Sequence, residues 1–171
     1  MRYTIIAFLI LLIMVKSSAQ EQEKKKLDKR EYIITGSDIT TIKSFELSNK
    51  SEFSSFSVIG SWTDNFGNYG KSKCMGIINK NLKNVELYFM CERVDKNGYK
   101  VWSLNKRKSG IQETGVGTFE IVDATIPNKK LFIGTECTYA VKYLEETNFY
   151  RSKCDISEEL ASVFEKMGLE K

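Results

Sequence analysis

From Tyr32 to Cys154 the chain is a succession of short segments rich in β-branched and aromatic residues, separated by Asn-, Asp- and Gly-containing clusters. That pattern predicts strands over residues 32–35 and 39–47, 53–63, 72–80, 85–94, 99–104, 115–122, 131–144 and 149–154. Turns are predicted at 64–70, 81–84, 95–98, 126–128 and around Glu145-Glu146, with 105–110 a basic connection. The period then changes. Leu160, Val163, Phe164 and Met167 stand at i, i+3, i+4 and i+7, one face of a helix over 157–167. Asp155 or Ser157 can cap its start, Glu158 and Glu159 occupy its first turn, and Gly168 can end it. Short links and no alternation of strand with helix exclude a parallel sheet. The expected fold is mainly β, an antiparallel up-and-down meander or barrel with one C-terminal amphipathic helix. The stripe of that helix is expected to dock on its own sheet.

The cysteines test a register. Centring a turn between Leu82 and Lys83 places Cys74 opposite Cys91, Gly76 opposite Phe89, Ile78 opposite Leu87 and Lys80 opposite Val85. The other face then pairs Lys73 with Glu92, Met75 with Met90 and Ile77 with Tyr88. Every pair is compatible, and Gly76 leaves room for the Phe89 ring. Centring the last hairpin between Glu145 and Glu146 places Cys137 opposite Cys154, Val141 opposite Tyr150 and Ala140 opposite Arg151. Glu-Glu suits a two-residue turn poorly, so a four-residue loop over 144–147 in the same register is expected. The hairpin pairing is expected, Cys74 with Cys91 and Cys137 with Cys154. The alternative across the sheet, Cys74 with Cys154 and Cys91 with Cys137, remains open.

The N-terminus places the protein. Arg2, an unbroken apolar run of 11 residues over 5–15, and Ser17-Ser18-Ala19 read as a secretory signal peptide over 1–19, and cleavage before Gln20 is expected. A helix of that run rises about 16 Å, short of the roughly 30 Å hydrocarbon core, which disfavours the rival reading of an uncleaved anchor. Cleavage would leave no integral membrane span. Without Arg2 and Lys16 the 26 basic residues fall to 24, against 22 acidic ones. A balance of +2 argues against nucleic acid or an acidic membrane as partner. Residues 20–31, with Lys24-Lys25-Lys26, read as a charged leader before one domain over 32–171. An even cysteine count in an exported chain favours disulfides, and localisation is expected to be periplasmic or secreted.

Gly60-Ser61-Trp62 at the start of the meander resembles the G-x-W opening of the lipocalin-like calycins. That resemblance implies an up-and-down barrel able to hold an apolar ligand, with Trp62 near its closed end. Residues 115–122, then Ala124-Thr125 and residues 134–139, are similar to the repeating strand pattern of allene-oxide-cyclase-like and dirigent-like barrels, with Ala124-Thr125-Ile126 in place of their Gly-Thr-Gly turn. Trp62-Thr63-Asp64-Asn65-Phe66-Gly67-Asn68-Tyr69-Gly70 with Cys74-Met75-Gly76 resembles uncharacterised exported bacterial proteins over residues 55–154. None of these carries over a catalytic residue.

The chain has no histidine. That removes the Ser-His-Asp and Cys-His arrangements and histidine-containing zinc sites. Asp64, Glu92, Glu120 and Glu136 are candidate carboxylates, each more simply a solvated outer-face residue. Asp64, Asn65 and Asn68 could offer oxygens to calcium, but lack the spacing of a twelve-residue calcium loop and read as a turn. Gly70-Lys71-Ser72 lacks the first glycine of a phosphate loop. No cofactor or metal is expected. If the barrel is wide enough, Trp62, Tyr69, Phe89, Trp102, Phe119 and Tyr139 are the candidate ligand-binding residues. Three functions compete: a module binding a small apolar or amphipathic molecule, an envelope structural or interaction protein without ligand or catalysis, and a histidine-free cyclase or isomerase. The expected activity is binding without chemistry, and the volume inside the β domain discriminates. Oligomeric state is not legible.

Overall fold

The computed structural model describes residues 29–80, 85–110 and 113–169. Eight strands follow in order: β1 Lys29–Glu46, β2 Glu52–Asp64, β3 Tyr69–Lys80, β4 Val85–Asp95, β5 Lys100–Arg107, β6 Gly115–Ala124, β7 Glu136–Leu144 and β8 Thr147–Ser157, then helix α1 Glu158–Leu169. Each strand is antiparallel to its neighbours, and β8 returns to β1 to close the barrel. Closure removes both open edges. The signal peptide and most of the leader expected before the domain lie outside the described residues, but Lys29, Arg30 and Glu31 of that leader are the first residues of β1 and pair with β8.

The sequence register holds residue for residue. Cys74 pairs with Cys91, Gly76 with Phe89, Ile78 with Leu87 and Lys73 with Glu92. Cys137 pairs with Cys154 and Val141 with Tyr150. Both disulfides form within their hairpins, across Cα–Cα separations of 4.0 and 4.4 Å. A Cβ on Gly76 would stand 2.4 Å from Phe89 Cβ and 2.8 Å from Phe56 Cζ, so the missing side chain is what admits the ring.

Four expectations need correction. Residues 32–46 form one continuous strand, which stops one residue short of Leu47, because Gly36 and Ser37 stay paired to both neighbours. Residues 131–135 are not strand: Lys129–Leu131 is a 3-10 turn entered through Asn128 at φ 54°, and the strand begins at Glu136. The basic connection is shorter than expected, since β5 runs to Arg107. Glu145-Glu146 does make a two-residue turn, with Leu144 paired to Thr147 and Glu145 held at φ 54°. Tight pairing on both sides imposes a conformation that glutamate disfavours by itself.

Helix α1 closes one end. Ser157 Oγ accepts from Leu160 N at 3.2 Å and caps its start. Leu160, Ala161, Phe164 and Met167 are buried, and Val163 is half-buried. Phe164 stacks on Tyr32 at 4.5 Å and meets Phe132 edge-on at 5.2 Å. Two turns bond the C-terminal part of the helix: Asn68 Nδ2 donates to Phe164 O at 3.1 Å, and Lys96 Nζ to Gly168 O at 2.9 Å, the latter a last-turn carbonyl that a helix end leaves unpaired. The helix continues through Gly168 instead of ending there. A side chain at Gly168 would strike Phe66 O, so glycine serves the close approach of helix and turn.

Candidate ligand cavity

Period-two alternation sends every second residue inward, and the two halves of the barrel differ in what they receive. Toward the helix the interior is filled by Tyr32, Ile34, Trp62, Ile121, Ile126, Phe132, Leu160 and Phe164 among others. Toward the opposite rim it is hollow. A cavity there offers water centres about 80 Å³ of room, within about 690 Å³ of space that continues out through the mouth. At roughly 10–15 Å³ per water centre, that is the room of about five to eight waters.

The walls are apolar. Phe56, Val58, Leu87, Phe89, Phe119 and Val141 line them, with the Cys74–Cys91 disulfide set into one side. A chain of ring contacts runs along the wall: Phe56 to Phe89 at 5.7 Å, Phe89 to Tyr139 at 6.2 Å, and Tyr139 to Phe119 at 6.3 Å.

The floor is polar, and register makes it so. Asp38 on β1 pairs with Gly60 on β2, Gly60 with Ser72 on β3, and Ser72 with Arg93 on β4. These four neighbours face inward at one level. Gly60 contributes space: a Cβ there would lie 1.9 Å from Asp38 Oδ1. Through that gap Ser72 Oγ donates to Asp38 Oδ1 at 2.8 Å. Burial drives the Asp38 carboxyl up to about 6, against the opposing pull of the Ser72 bond and the Arg93 charge. Burial likewise raises Tyr150, which faces Asp38 and Arg93, and pushes Tyr139 up to about 12. Arg93 is buried, and its guanidinium lies over the Phe119 ring at 5.3 Å. No carboxylate among the described residues lies within ion-pair distance of it. Tyr139 Oη is buried without a hydrogen-bond partner.

At the mouth, Arg107 donates to Gly110 O and approaches Tyr143 Oη at 3.5 Å. Asn105 Nδ2 is held by Ser103 O at 2.8 Å and Ser103 Oγ at 3.1 Å, and Asn148 Nδ2 donates to Thr40 Oγ1 at 3.2 Å.

Of the six aromatic candidates, Phe89, Phe119 and Tyr139 line this cavity. The other three are placed elsewhere. Trp62 faces inward but sits in the helix-closed half, its Nε1 bonded to Lys71 O at 3.2 Å. Tyr69 is exposed on the outer face, beneath Lys96. Trp102 also faces out, its Nε1 bonded to Glu92 Oε2 at 3.1 Å. Plain alternation puts it there, next to inward Ser103 and opposite Glu92, while the irregularity between β5 and β6 places the extra residue, Val122, on β6. None of the four candidate carboxylates lines the cavity. Glu92 is occupied by Trp102 and Lys100, Glu120 and Glu136 are exposed, and Asp64 caps its turn by accepting from the backbone N–H of Phe66 and Asn68, both at 2.9 Å. The Asp64–Asn65–Asn68 cluster is therefore a turn, and no grouping among the described residues could hold a metal ion.

Asp38, Ser72, Arg93, Arg107 and Tyr150 were not anticipated. A signal existed for Arg93: it lies two places beyond Cys91 and shares the face of Leu87, Phe89 and Cys91. The register that pairs the cysteines therefore sets Arg93 inward, opposite Ser72.

The geometry defines a closed eight-stranded antiparallel barrel with one end plugged and one cavity-bearing half. No protein-family model matches the chain, and no curated protein matches it. Two disulfides fit an oxidising compartment, and no helix among the described residues is long and apolar enough to cross a membrane.

Proposed function

We propose that this is an exported barrel, periplasmic or secreted, that binds one small amphipathic molecule in its open half without transforming it. The observation that carries the reading is the cavity itself: apolar walls, a few converging polar groups on the floor, and space that opens outward. An eight-stranded barrel has an interior that is either filled by side chains or able to hold one small ligand. Here the two outcomes divide the same barrel. Apolar lining with sparse polar groups is the usual make-up of a small-molecule site. The size favours a compact ligand over a long lipid chain.

Tryptophan quenching would report poorly, because Trp62 is sealed behind the floor and Trp102 is outside. Calorimetric titration of the mature protein with short amphiphiles of each charge class is the direct test, with Leu87→Trp as a cavity-filling control. Binding that the control removes supports the reading. No heat from any class, in the folded protein, would overturn it.

An envelope interaction protein is the second reading. Met75, Ile77, Tyr88, Met90 and Leu104 are exposed and adjacent on the outer face of β3, β4 and β5, which supports contact with another macromolecule.

A further inference from the structure

We propose that the ligand is an organic monoanion, a short-chain carboxylate or sulfonate, whose charged group lies on the Arg93 guanidinium at the cavity floor and whose apolar part lies along Phe119, Phe89 and Phe56. This rests on the reading of the cavity as a binding site and adds the ligand's charge, polarity of insertion and size.

The first argument is an unmet donor set. A guanidinium carries five N–H donors and no acceptor. Arg93 is buried, lines the cavity, and has an aromatic face for its π surface but no carboxylate within ion-pair distance among the described residues. A buried cation in that state is costly unless an anion completes it.

The nearest claims on it come from every side of the floor and do not meet the need. Asp38 on β1 is bonded to Ser72 on β3. Tyr32 on β1 and Tyr150 on β8 are phenols held neutral by burial. Asp64 on β2 and Asp95 on β4 share with Arg93 a smaller crevice on the helix side. Asp64 accepts from Phe66 and Asn68, and Asp95 Oδ1 from the N–H groups of Asn97 and Tyr99 at 2.9 and 2.8 Å; Asp95 Oδ2 is buried without a hydrogen-bond partner but makes no ion pair with Arg93.

The second argument is the charge of the cavity lining, two arginines against one carboxylate: Arg93 at the floor, Arg107 at the mouth, and Asp38. Leu87, the partner of Arg107, lies six residues from Arg93 along β4, so the two arginines are separated by roughly 20 Å of strand. A short anion drawn in past Arg107 can therefore reach Arg93 with its tail still between the walls. The third argument is continuity: the ring contacts lead from Arg93 through Phe119, Tyr139 and Phe89 to Phe56. The space of about five to eight waters suits a chain of about six carbons.

Asp38 adds a consequence. Its protonation removes the negative charge that competes with the ligand for Arg93, so an anion binds more tightly below pH 6 than above it. The probe for that arm is hexanesulfonate, whose own charge does not change over the range.

The experiment titrates the mature protein at pH 7.5 with hexanoate, hexanol and hexylamine, and with hexanesulfonate from pH 5 to 7.5. Hexanoate is expected to bind at least about tenfold more tightly than hexanol, and hexylamine not to bind. Arg93→Gln should abolish the preference for hexanoate while hexanol binding persists. Asp38→Asn should raise hexanesulfonate affinity at pH 7.5 and flatten its pH dependence, which keeps the test open if Arg93→Gln fails to fold. Equal binding of hexanoate and hexanol, or preference for hexylamine, would overturn the anion assignment and leave the cavity a binding site. Absence of binding by all four compounds would overturn the binding reading itself.

Discussion

Phe164 is where the helix seals the barrel, and truncating it tests that closure. Its ring lies 4.5 Å from Tyr32, 5.2 Å from Phe132 and 6.1 Å from Phe66, and the residue is buried. Phe164→Ala removes the ring between three others whose backbones belong to β1 and to two loops, and these cannot collapse together without moving barrel or turn. The loss is therefore expected at the usual level for a buried Phe, about 3–5 kcal/mol. A domain of about 140 residues has an unfolding entropy near 0.3 kcal/mol/K, so the melting temperature should fall by roughly 10–17 °C. Val163→Ala, at a half-buried position on the same helix, should cost no more than about 1 kcal/mol and a few degrees. The assay is thermal unfolding followed by far-UV circular dichroism, with disulfides intact in both variants. A drop below about 3 °C for Phe164→Ala would refute the reasoning, since it would mean that the helix is not part of the cooperative core.

Three further outcomes follow from the same contacts. Glu145 sits at φ 54° in a two-residue turn, so Glu145→Gly should raise stability by up to about 1 kcal/mol, read in a urea titration; a loss would show that the turn is held differently. Replacing Cys137 and Cys154 together by Ser should lower stability by about 3 kcal/mol, the chain-entropy value for a loop of roughly this size, and unreduced peptide mapping should recover Cys74 joined to Cys91 and Cys137 to Cys154. The buried Asp38 carboxyl takes up its proton near pH 6 in the folded chain and near 4 when unfolded, so its contribution to stability declines as pH rises through that window and stays low above it. Asp38→Asn should then match the parent near pH 4 and exceed it at pH 7.5 by on the order of 3 kcal/mol; equal stability at both pH values would show that Asp38 is not desolvated.

Much of the architecture was legible without coordinates because it depends on local rules. Alternation identified the strands, a change of period identified the helix, and equal spacing of cysteines about two turns gave the register of both hairpins and favoured the pairing that the structure shows over the open cross-sheet alternative. Where those rules failed, longer-range packing had overridden a local preference. Closure of the hairpin between β7 and β8 forced Glu145 into the left-handed region, the approach of helix to turn carried α1 through Gly168, and the loop from Lys129 to Thr135 left the sheet although its residues suit a strand.

The candidate site divides differently. Alternation alone sends Phe89 inward with Cys91, and Phe119 inward between Gly117 and Ile121. Depth along the barrel and the position of bulges are not local properties. One bulge on β6 leaves Val122 and Asp123 both exposed, and one helix turns the half containing Trp62 into solid core. The floor needed four strands at once: Asp38, Gly60, Ser72 and Arg93 are spread over 55 positions of sequence and meet only because three independent registers bring them to one level. Sequence by itself therefore determined which elements form and how neighbours pair, since those energies are settled within a hairpin. Closure of the barrel decided which end is filled, which is hollow, and which charge is buried between them, because those depend on the sum of all registers around the ring.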